Sequence, residues 1–299
     1  CIKDKRGIRS FFGSDCLLQM LKSLTKNTRL IAHNCNFDYR YLIPYLTNVT
    51  EIGKGSKMLT ASGKFFNLNI KIKDSYQLIV SPLSAFSGMF NLPVTKDIMP
   101  YDLYTEQTCR EKFVSIERAK QFLPEDQHEQ FMQNIKKWNL MDDTKTKYNI
   151  LSYAEEYCKI DCEVLQQGYN TFKTWMLECV KINIDDVITI PSLADKYLSS
   201  EKCYEGLYKL SGTPQRFIQQ AVVGGRVMCK DNEMQHVCKP VQDFDGVSLY
   251  PSAMVRMGGF LKGKPKVIDN FESIRQTTDG YFIEIVVTRV KKELHFPIL

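Results

Sequence analysis

Residues 245–252, Asp-Gly-Val-Ser-Leu-Tyr-Pro-Ser, combine a carboxylate with a sharp turn and the expected start of a helix. Residues 241–244 are predicted to form a strand that leads into Asp245. A carboxylate in this position can hold a divalent metal ion, and the exposed backbone N–H groups of the turn can cradle phosphates. The stretch therefore predicts a phosphoryl-transfer site.

A second acidic residue, Asp38, follows the predicted buried strand 29–33 at the point where a helix is expected to begin. Asn34 and Phe37 precede it in the same turn. A carboxylate at the rim of a sheet is a natural metal ligand. Taken alone, however, an Asp between a strand and a helix is more often a helix cap.

Tyr157 and Asp161 lie four residues apart in a long predicted helix, so that phenol and carboxylate share one helical face. In a catalytic interpretation Asp161 binds a metal ion and Tyr157 orients an attacking water. In the alternative interpretation both are ordinary residues of an amphipathic helix.

The surrounding pattern predicts the elements that must position these residues. Helices are predicted at 14–24, from about 37, near 126–138, at 152–180 and at 192–198, and strands at 29–33, 65–72, 241–244 and 281–287. Residues 96–150 are mixed and interrupted by Pro, which predicts an irregular excursion. A boundary is expected within 181–191. Alternating strands and helices indicate an α/β or α+β protein.

The composition is that of an ordinary soluble protein, with 43% hydrophobic and 25% charged residues and a net charge of +6. Such mild basicity is compatible with a polyanionic partner without requiring one. The ten cysteines form no C-x-x-C pair, which predicts reduced thiols and an intracellular location, in the cytoplasm or a nucleus. Cys229, His236 and Cys238 come nearest to a zinc site, but their spacing does not favour one. No stretch is apolar enough to predict a membrane span.

Read together and in order, the motifs N-x-x-F-D, Y-x-x-x-D and D-x-x-S-L-Y-P-S resemble the exonuclease II, exonuclease III and polymerase A motifs of family B DNA polymerases. Residues 82–86, Pro-Leu-Ser-Ala-Phe, are similar to the (S/T)-L-x-x-h motif of the branch found in viruses, linear plasmids and large DNA transposons. Residues 224–226, Gly-Gly-Arg, are similar to the Y-x-G-G motif of that branch, many of whose members start synthesis from a protein primer.

The resemblance implies an α/β fold, with an RNase H-like 3′–5′ exonuclease domain over residues 1–190. Residues 191–299 would form a linker and the beginning of an α+β polymerase palm. The implied function is a DNA-directed DNA polymerase with proofreading, serving a viral or plasmid-like element. A stand-alone 3′–5′ exonuclease, or a decayed polymerase that binds single-stranded DNA, are the alternatives.

The resemblance also implies roles for particular residues. Catalysis would use Asp38, Tyr157, Asp161 and Asp245. The three carboxylates among them would hold Mg²⁺, two ions per site, for which Mn²⁺ could substitute. Incoming dNTPs would contact Ser248, Leu249 and Tyr250, and DNA would contact Asn34, Phe37, Leu83, Gly224, Gly225 and Arg226. The expected partners are primer–template DNA, single-stranded DNA, dNTPs and a terminal priming protein, with no membrane.

Three departures from the family pattern affect these expectations. No D-x-E motif of exonuclease I precedes Asn34, Pro82 replaces the Ser or Thr of its motif, and Val222 replaces the Tyr of Y-x-G-G. The chain begins at Cys1 and ends at Leu299, and both ends are expected to be cut. Both metal sites would then be incomplete, so that the segment alone is predicted to be inactive.

Overall fold

The computed structural model describes residues 1–55, 57–224, 233–268, 272, 280–289 and 291, and it divides into two compact units, 1–201 and 202–299. The strands are β1 (Ile2–Asp4), β2 (Gly7–Arg9), β3 (Thr28–Ala32), β4 (Thr47–Lys54), β5 (Lys57–Phe65), β6 (Leu68–Asp74), β7 (Phe113–Ser115) and β8 (Lys147–Asn149). The helices are α1 (Cys16–Lys22), α2 (Asp38–Leu42), α3 (Phe86–Phe90), α4 (Glu106–Glu111), α5 (Ile116–Lys120), α6 (His128–Lys137), α7 (Ile150–Val180), α8 (Ile190–Ser200), α9 (Gly212–Gln220) and α10 (Leu249–Arg256).

The largest sheet of the first unit has the strand order β3-β6-β5-β4. β3 runs parallel to β6, whereas the pairs β6–β5 and β5–β4 are antiparallel. The sheet is therefore mixed, and together with the helices it confirms the predicted α/β class. Because β3 and β6 are parallel, their carboxyl ends meet, and Ala32 pairs with Asp74.

The predicted single strand at 65–72 is wrong, because a tight hairpin divides it. Phe65 ends β5 and pairs with Leu68 at the start of β6. Phe66 occupies the turn between them with a left-handed φ of 49°. Apolar and polar residues alternate straight through the turn, so that periodicity alone could not detect the reversal.

Three hydrophobic clusters hold the first unit together. One lies between the sheet and the helices α1 and α2, with Leu21, Ile70 and Ile72 at its centre. The second surrounds α7 and α3, where the rings of Phe86 and Phe90 meet edge to face with centroids 5.2 Å apart.

The third cluster corrects the expectation that residues 96–150 form an irregular excursion. This segment folds as α4, α5, α6 and the paired strands β7 and β8. The fully buried side chains of the third cluster include those of Phe131, Ile135, Tyr148 and, from α7, Tyr153. The helix predicted near 126–138 is observed as α6. The other helices and strands of the segment are only three to six residues long, which is too short for a clear periodic signal in the sequence.

The long helix α7 was predicted from residue 152 and begins two residues earlier. Asn149 caps it, because its side-chain oxygen accepts hydrogen bonds from the backbone N–H groups of Leu151 and Ser152 at 3.1 Å. Lys181 follows the helix with a left-handed φ of 57° and ends it. This 31-residue helix contacts β1, α3 and α4, and it is the main scaffold of the first unit.

The described part of the second unit contains α9 and α10 and no strand. The strands predicted at 241–244 and 281–287 are therefore not observed. A strand is stabilised by hydrogen bonds to a neighbour, and these segments have no partner strand within the described residues of this unit. Nowhere in the described parts of the chain is a helix both long and apolar enough to cross a membrane.

Candidate active site

At the carboxyl ends of the parallel strands β3 and β6, hydrogen bonds join the end of β6 to the segment that follows β3; we call this the strand junction. Asn34, just after β3, donates its backbone N–H to Asp74 Oδ1 at 2.8 Å, and the N–H of Tyr76 donates to the same oxygen at 2.9 Å. Asp74 is 1% exposed. Asn34 has a left-handed φ of 55°, which Asn tolerates better than most residues. The buried carboxylate therefore fixes the turn that carries the N-x-x-F-D motif.

His33 connects the same junction to the loop that follows β6. Its Nε2 lies 2.9 Å from the carbonyl oxygen of Ser81, and its Nδ1 lies 3.0 Å from Ser75 Oγ. A carbonyl can only accept, so Nε2–H donates to it. Burial lowers the pKa of His33, which favours the neutral ring. The Ser75 hydroxyl has one proton, for which Nδ1 competes with the carbonyl oxygen of Ala32 at 2.8 Å.

Asp38 and Phe37 lie on the turn that this junction supports. Asp38 is the first residue of α2 and remains solvent-accessible. Partial desolvation raises the pKa of its carboxyl group, and the negative charge of Asp74 adds to that effect. Phe37 is 66% exposed, and its ring meets that of Tyr41 edge to face at 5.2 Å. The motif thus presents a carboxylate and an aromatic ring at the surface.

Tyr157 and Asp161 lie on one face of α7, as their spacing predicts, and both contact Lys96. The ammonium group of Lys96 is 2.9 and 2.7 Å from the two carboxylate oxygens of Asp161. It also donates to the hydroxyl of Tyr157 and lies 4.7 Å from the centroid of that ring. Burial raises the pKa of Asp161, and the bonded Lys96 opposes that shift.

The phenol of Tyr157 is held in its protonated form. Tyr157 is 4% exposed, and its hydroxyl shares a hydrogen bond with the hydroxyl of Tyr101. Burial raises the pKa of Tyr157, and the hydrogen bond with Tyr101 and the charge of Asp161 raise it further. Tyr157 can therefore donate a hydrogen bond at neutral pH.

Carboxylate oxygens are the ligands that Mg²⁺ prefers, so the donor chemistry of Asp38 and Asp161 suits that ion. The charge of Asp74 acts on the Asp38 carboxylate, whereas Lys96 engages both oxygens of Asp161. Within the described residues, no group of three or more His, Cys, Asp or Glu side chains is arranged to hold a metal ion. The two carboxylates therefore fit a metal ion as individual ligands and belong to separate networks.

Residues 245–252 lie in the second unit and form a turn followed by α10. Asp245, Ser248, Leu249 and Tyr250 are all exposed. Ser248 has a left-handed φ of 49° and precedes the helix, and its carbonyl accepts from the N–H of Ser252 at 2.9 Å. The predicted turn and helix are therefore observed. Within the described residues, the Asp245 carboxylate forms no hydrogen bond or ion pair that would hold it in one orientation.

The other residues predicted to contact DNA, Leu83, Gly224, Gly225 and Arg226, differ in burial and in whether the structure describes them. Leu83 is partly buried and packs against the second hydrophobic cluster, next to Pro82 at the start of a short 3₁₀ turn. Gly224 is exposed, with open space where a side chain would begin. Gly225 and Arg226 lie outside the described residues.

Three residues of the first unit that contact the predicted site were not assigned a role from the sequence. They are Asp74, Lys96 and Tyr101. Asp74 ends a strand, which is a recognisable position for a functional acid, whereas Lys96 and Tyr101 lie in a stretch without periodicity. No spacing in the sequence connects those two with a helix more than fifty residues later.

The described structure thus defines an α/β protein with acidic residues at the ends of parallel strands and on a long neighbouring helix. The chain belongs to the family of organellar and viral type B DNA polymerases, whose model matches residues 20–299. The family resemblance inferred from the sequence motifs is therefore confirmed.

One solved structure similar to this chain is described as Phi29 DNA polymerase complexed with single-stranded DNA. The two share 16% sequence identity with a TM-score of 0.43, and the match covers 70% of this chain. It covers 33% of the other chain, so that the present chain corresponds to about a third of that protein. No curated protein sequence matches the chain.

Proposed function

We propose that this chain contributes to a DNA-directed DNA polymerase that replicates a viral or plasmid-like element and proofreads with a 3′–5′ exonuclease. Membership of the type B polymerase family supports the polymerase activity. The exonuclease is supported chiefly by one observation: Tyr157 and Asp161 share a helical face and a common cationic partner, Lys96.

In the proposed exonuclease, Asp38 and Asp161 would hold Mg²⁺, which supplies an activated water and stabilises the leaving oxygen when bound. Tyr157 would position that water by donating a hydrogen bond from its protonated hydroxyl. Phe37 would stack on a base of the frayed 3′ end, since its ring is exposed beside the Asp38 carboxylate. Asn34 would contact the same strand.

Lys96 would act on the site through Asp161. It holds both carboxylate oxygens in one orientation, and both partners are about three-quarters buried. Such a contact limits the rotation of Asp161 and offsets the cost of burying its charge.

In the proposed polymerase site, Asp245 would bind Mg²⁺ and the turn at Ser248 and Leu249 would bind the triphosphate. Tyr250 would pack under the sugar and disfavour a 2′-hydroxyl. All four side chains are exposed, so that they are accessible to a nucleotide. The glycine pair at 224–225 and Arg226 would contact DNA, and a terminal protein would supply the primer.

We assign residues 1–190 to the RNase H-like exonuclease domain and residues 191–299 to a linker and the start of the palm. Neither catalytic site then has all its acidic residues, because exonuclease I and the later polymerase motifs are absent from the sequence. Chain 1–299 is accordingly expected to be inactive on its own. A Mg²⁺-dependent nuclease activity of this chain that Asp38→Ala abolishes would contradict that expectation.

The test uses the longest polypeptide encoded by the reading frame that contains this chain. We expect Mg²⁺-dependent primer extension that Asp245→Asn abolishes, and 3′–5′ cleavage that Asp38→Ala and Asp161→Ala abolish. Each substitution should leave the other activity intact. Cleavage without primer extension would favour a stand-alone exonuclease.

The decayed polymerase is the other alternative, and the departures from the family motifs at Pro82 and Val222 favour it. It predicts binding of single-stranded DNA that needs no divalent metal and is insensitive to Asp245→Ala. Metal-dependent dNTP incorporation by the wild-type polypeptide would exclude it.

A further inference from the structure

The positive charge of this protein is concentrated in one part of the sequence. Residues 22–74 contain nine Lys and Arg but only three Asp and Glu, a net charge of +6. The whole chain also has a net charge of +6, so that the remaining residues are balanced, with 31 charges of each sign. The excess charge therefore belongs to the segment that forms β3, β4, β5 and β6.

Strand register places part of this charge on one face of the sheet. Lys71 pairs with Arg29 in the parallel ladder and with Ser62 in the antiparallel one, and Ser62 pairs in turn with Thr50. Paired residues project to the same side of a sheet. These four side chains consequently form a row across all four strands.

A second row lies beside the first, two residues along β5 and β6 and three along β4, where the register shifts. Lys64 pairs with Asn69 and with Thr47. The side chains of Lys64, Asn69 and Lys71 are exposed, whereas Ala61, Phe65 and Ile72 on the opposite face are buried in the first hydrophobic cluster. We call these two rows the open sheet face, and it consists of Arg29, Thr47, Thr50, Ser62, Lys64, Asn69 and Lys71. The next row on the same side contains Lys73 and is not part of this face, because Lys73 is 5% exposed and donates to the carbonyl oxygens of Ile184 and Val187.

The cations on this face are incompletely neutralised. Arg29 lies 3.5 Å from Asp185, but no ion pair in the described parts of the chain involves Lys64 or Lys71. Placing the like charges of Lys71 and Arg29 side by side is unfavourable for the isolated sheet. An anionic partner would remove that penalty.

We propose that the open sheet face binds the phosphate backbone of double-stranded DNA. Lys, Arg, Ser, Thr and Asn are the side chains that proteins use for phosphate contacts, and every member of the face is one of them. None of its seven side chains is aromatic, and the exposed ring of Phe66 lies outside the two rows, in the turn between β5 and β6. Because unpaired bases stack on aromatic side chains, rows without a ring favour a duplex over a single strand. The inference rests on the proposed action of this protein on DNA, and it assigns a surface built from residues other than those proposed for catalysis.

The experiment measures binding of chain 1–299 to a short fluorescent DNA duplex by anisotropy, in EDTA, between about 50 and 200 mM KCl. The test variant is Lys64→Gln/Lys71→Gln. The matched control is Lys136→Gln/Lys137→Gln, which removes the same charge from two exposed lysines of α6. Because all four side chains are exposed, both variants should fold, and circular dichroism would verify it.

We expect the test variant to bind the duplex on the order of tenfold more weakly at the lowest salt concentration. The slope of log affinity against log salt should decrease in magnitude by about 2, close to one unit for each lost phosphate contact. The control variant and Lys64→Arg/Lys71→Arg should retain the wild-type slope.

Equal losses in the test and control variants would overturn the proposal, since net charge alone would then explain binding. A loss confined to single-stranded DNA of the same sequence would also overturn it. The measurement needs neither a metal ion nor catalysis, so failure of primer extension or cleavage would leave its result unaffected.

Discussion

Lys96 Nζ lies 2.9 and 2.7 Å from the two carboxylate oxygens of Asp161, although the two residues are 65 positions apart in the sequence. Lys96 is in the loop after α3, and Asp161 is in the middle of α7. The side chains are 22% and 27% exposed, so that this ion pair is largely removed from water. It joins the segment 96–150 to the proposed exonuclease site.

The first prediction concerns the strength of this ion pair. A double-mutant cycle with Lys96→Met and Asp161→Asn should give a coupling free energy of about 1–3 kcal/mol, because a partly buried charge loses its partner in each single variant. The measurement is urea unfolding of chain 1–299.

Arg110 and Glu106 provide the control for that cycle. They form an ion pair on α4 whose side chains are 78% and 81% exposed. Water screens them, so the corresponding cycle should give less than about 0.5 kcal/mol. Equal coupling in the two cycles would mean that Lys96 does not stabilise Asp161 through burial.

The second prediction tests the buried carboxylate at the strand junction. Asp74→Ala removes the acceptor of two backbone N–H groups, those of Asn34 and Tyr76, and should lower the free energy of unfolding by about 2–4 kcal/mol. Asp74→Asn keeps one acceptor oxygen and should cost less. Urea unfolding measures both.

Asp142 offers a matched comparison, since it also accepts from two backbone N–H groups, those of Thr146 and Lys147. It is more accessible to water, which can replace the lost acceptor, so Asp142→Ala should cost clearly less than Asp74→Ala. If the two alanine variants lose the same stability, the burial of Asp74 is not what matters.

The third prediction is a pH dependence. Lys73 is 5% exposed and donates to the carbonyl oxygens of Ile184 and Val187, the latter at 2.6 Å. Burial lowers its pKa to about 8. The negative charge of Asp185 raises the pKa and the positive charge of Arg29 lowers it, and both effects are smaller than that of burial. In the unfolded chain the pKa of Lys is about 10.4.

Between these two pKa values the unfolded chain binds more protons than the folded chain, so this group makes stability rise with pH. The penalty for the buried ammonium group is complete below pH 8 and is relieved as pH rises towards about 10. The stability of wild type relative to Lys73→Met should therefore increase by about 1–3 kcal/mol over that range.

Urea unfolding at several pH values from about 7 to about 10 provides the measurement. Lys71→Met serves as the control, because Lys71 is exposed on the same strand and its substitution should shift stability equally at every pH. A pH-independent difference for Lys73→Met would show that Lys73 has an ordinary pKa.

The fourth prediction concerns single-stranded DNA. Phe37→Ala should weaken binding of an oligonucleotide to chain 1–299 by about 5- to 100-fold, since stacking on one aromatic ring contributes about 1–3 kcal/mol. Because Phe37 is 66% exposed, the free energy of unfolding should change by less than about 0.5 kcal/mol.

Phe122→Ala is the control for this measurement, as Phe122 is also exposed and lies in the segment 96–150. Fluorescence anisotropy with both variants separates a specific stacking site from general hydrophobic contact. Similar losses for the two variants would exclude Phe37 as the stacking residue.

Much of the first unit could be predicted because its signals are local. The strand before Asn34, the long helix and the shared face of Tyr157 and Asp161 depend on periodicity over a few turns. The hairpin at Phe66 could not be predicted, since its turn residues continue the alternation. The strand expected at 241–244 failed for a different reason: strand formation requires a partner, and sequence patterns do not reveal one.

By itself, the sequence determined the family, through motifs whose residues are close together in the chain, and it identified Asp38, Asp161 and Asp245 as candidate ligands. Only the tertiary structure decided which groups meet those residues. Lys96 reaches Asp161 across 65 positions of the chain, and Asp74 holds Asn34 across 40. Such contacts depend on the packing of a loop against α7 and on the parallel pairing of β3 with β6, and the separation along the chain contains no information about either.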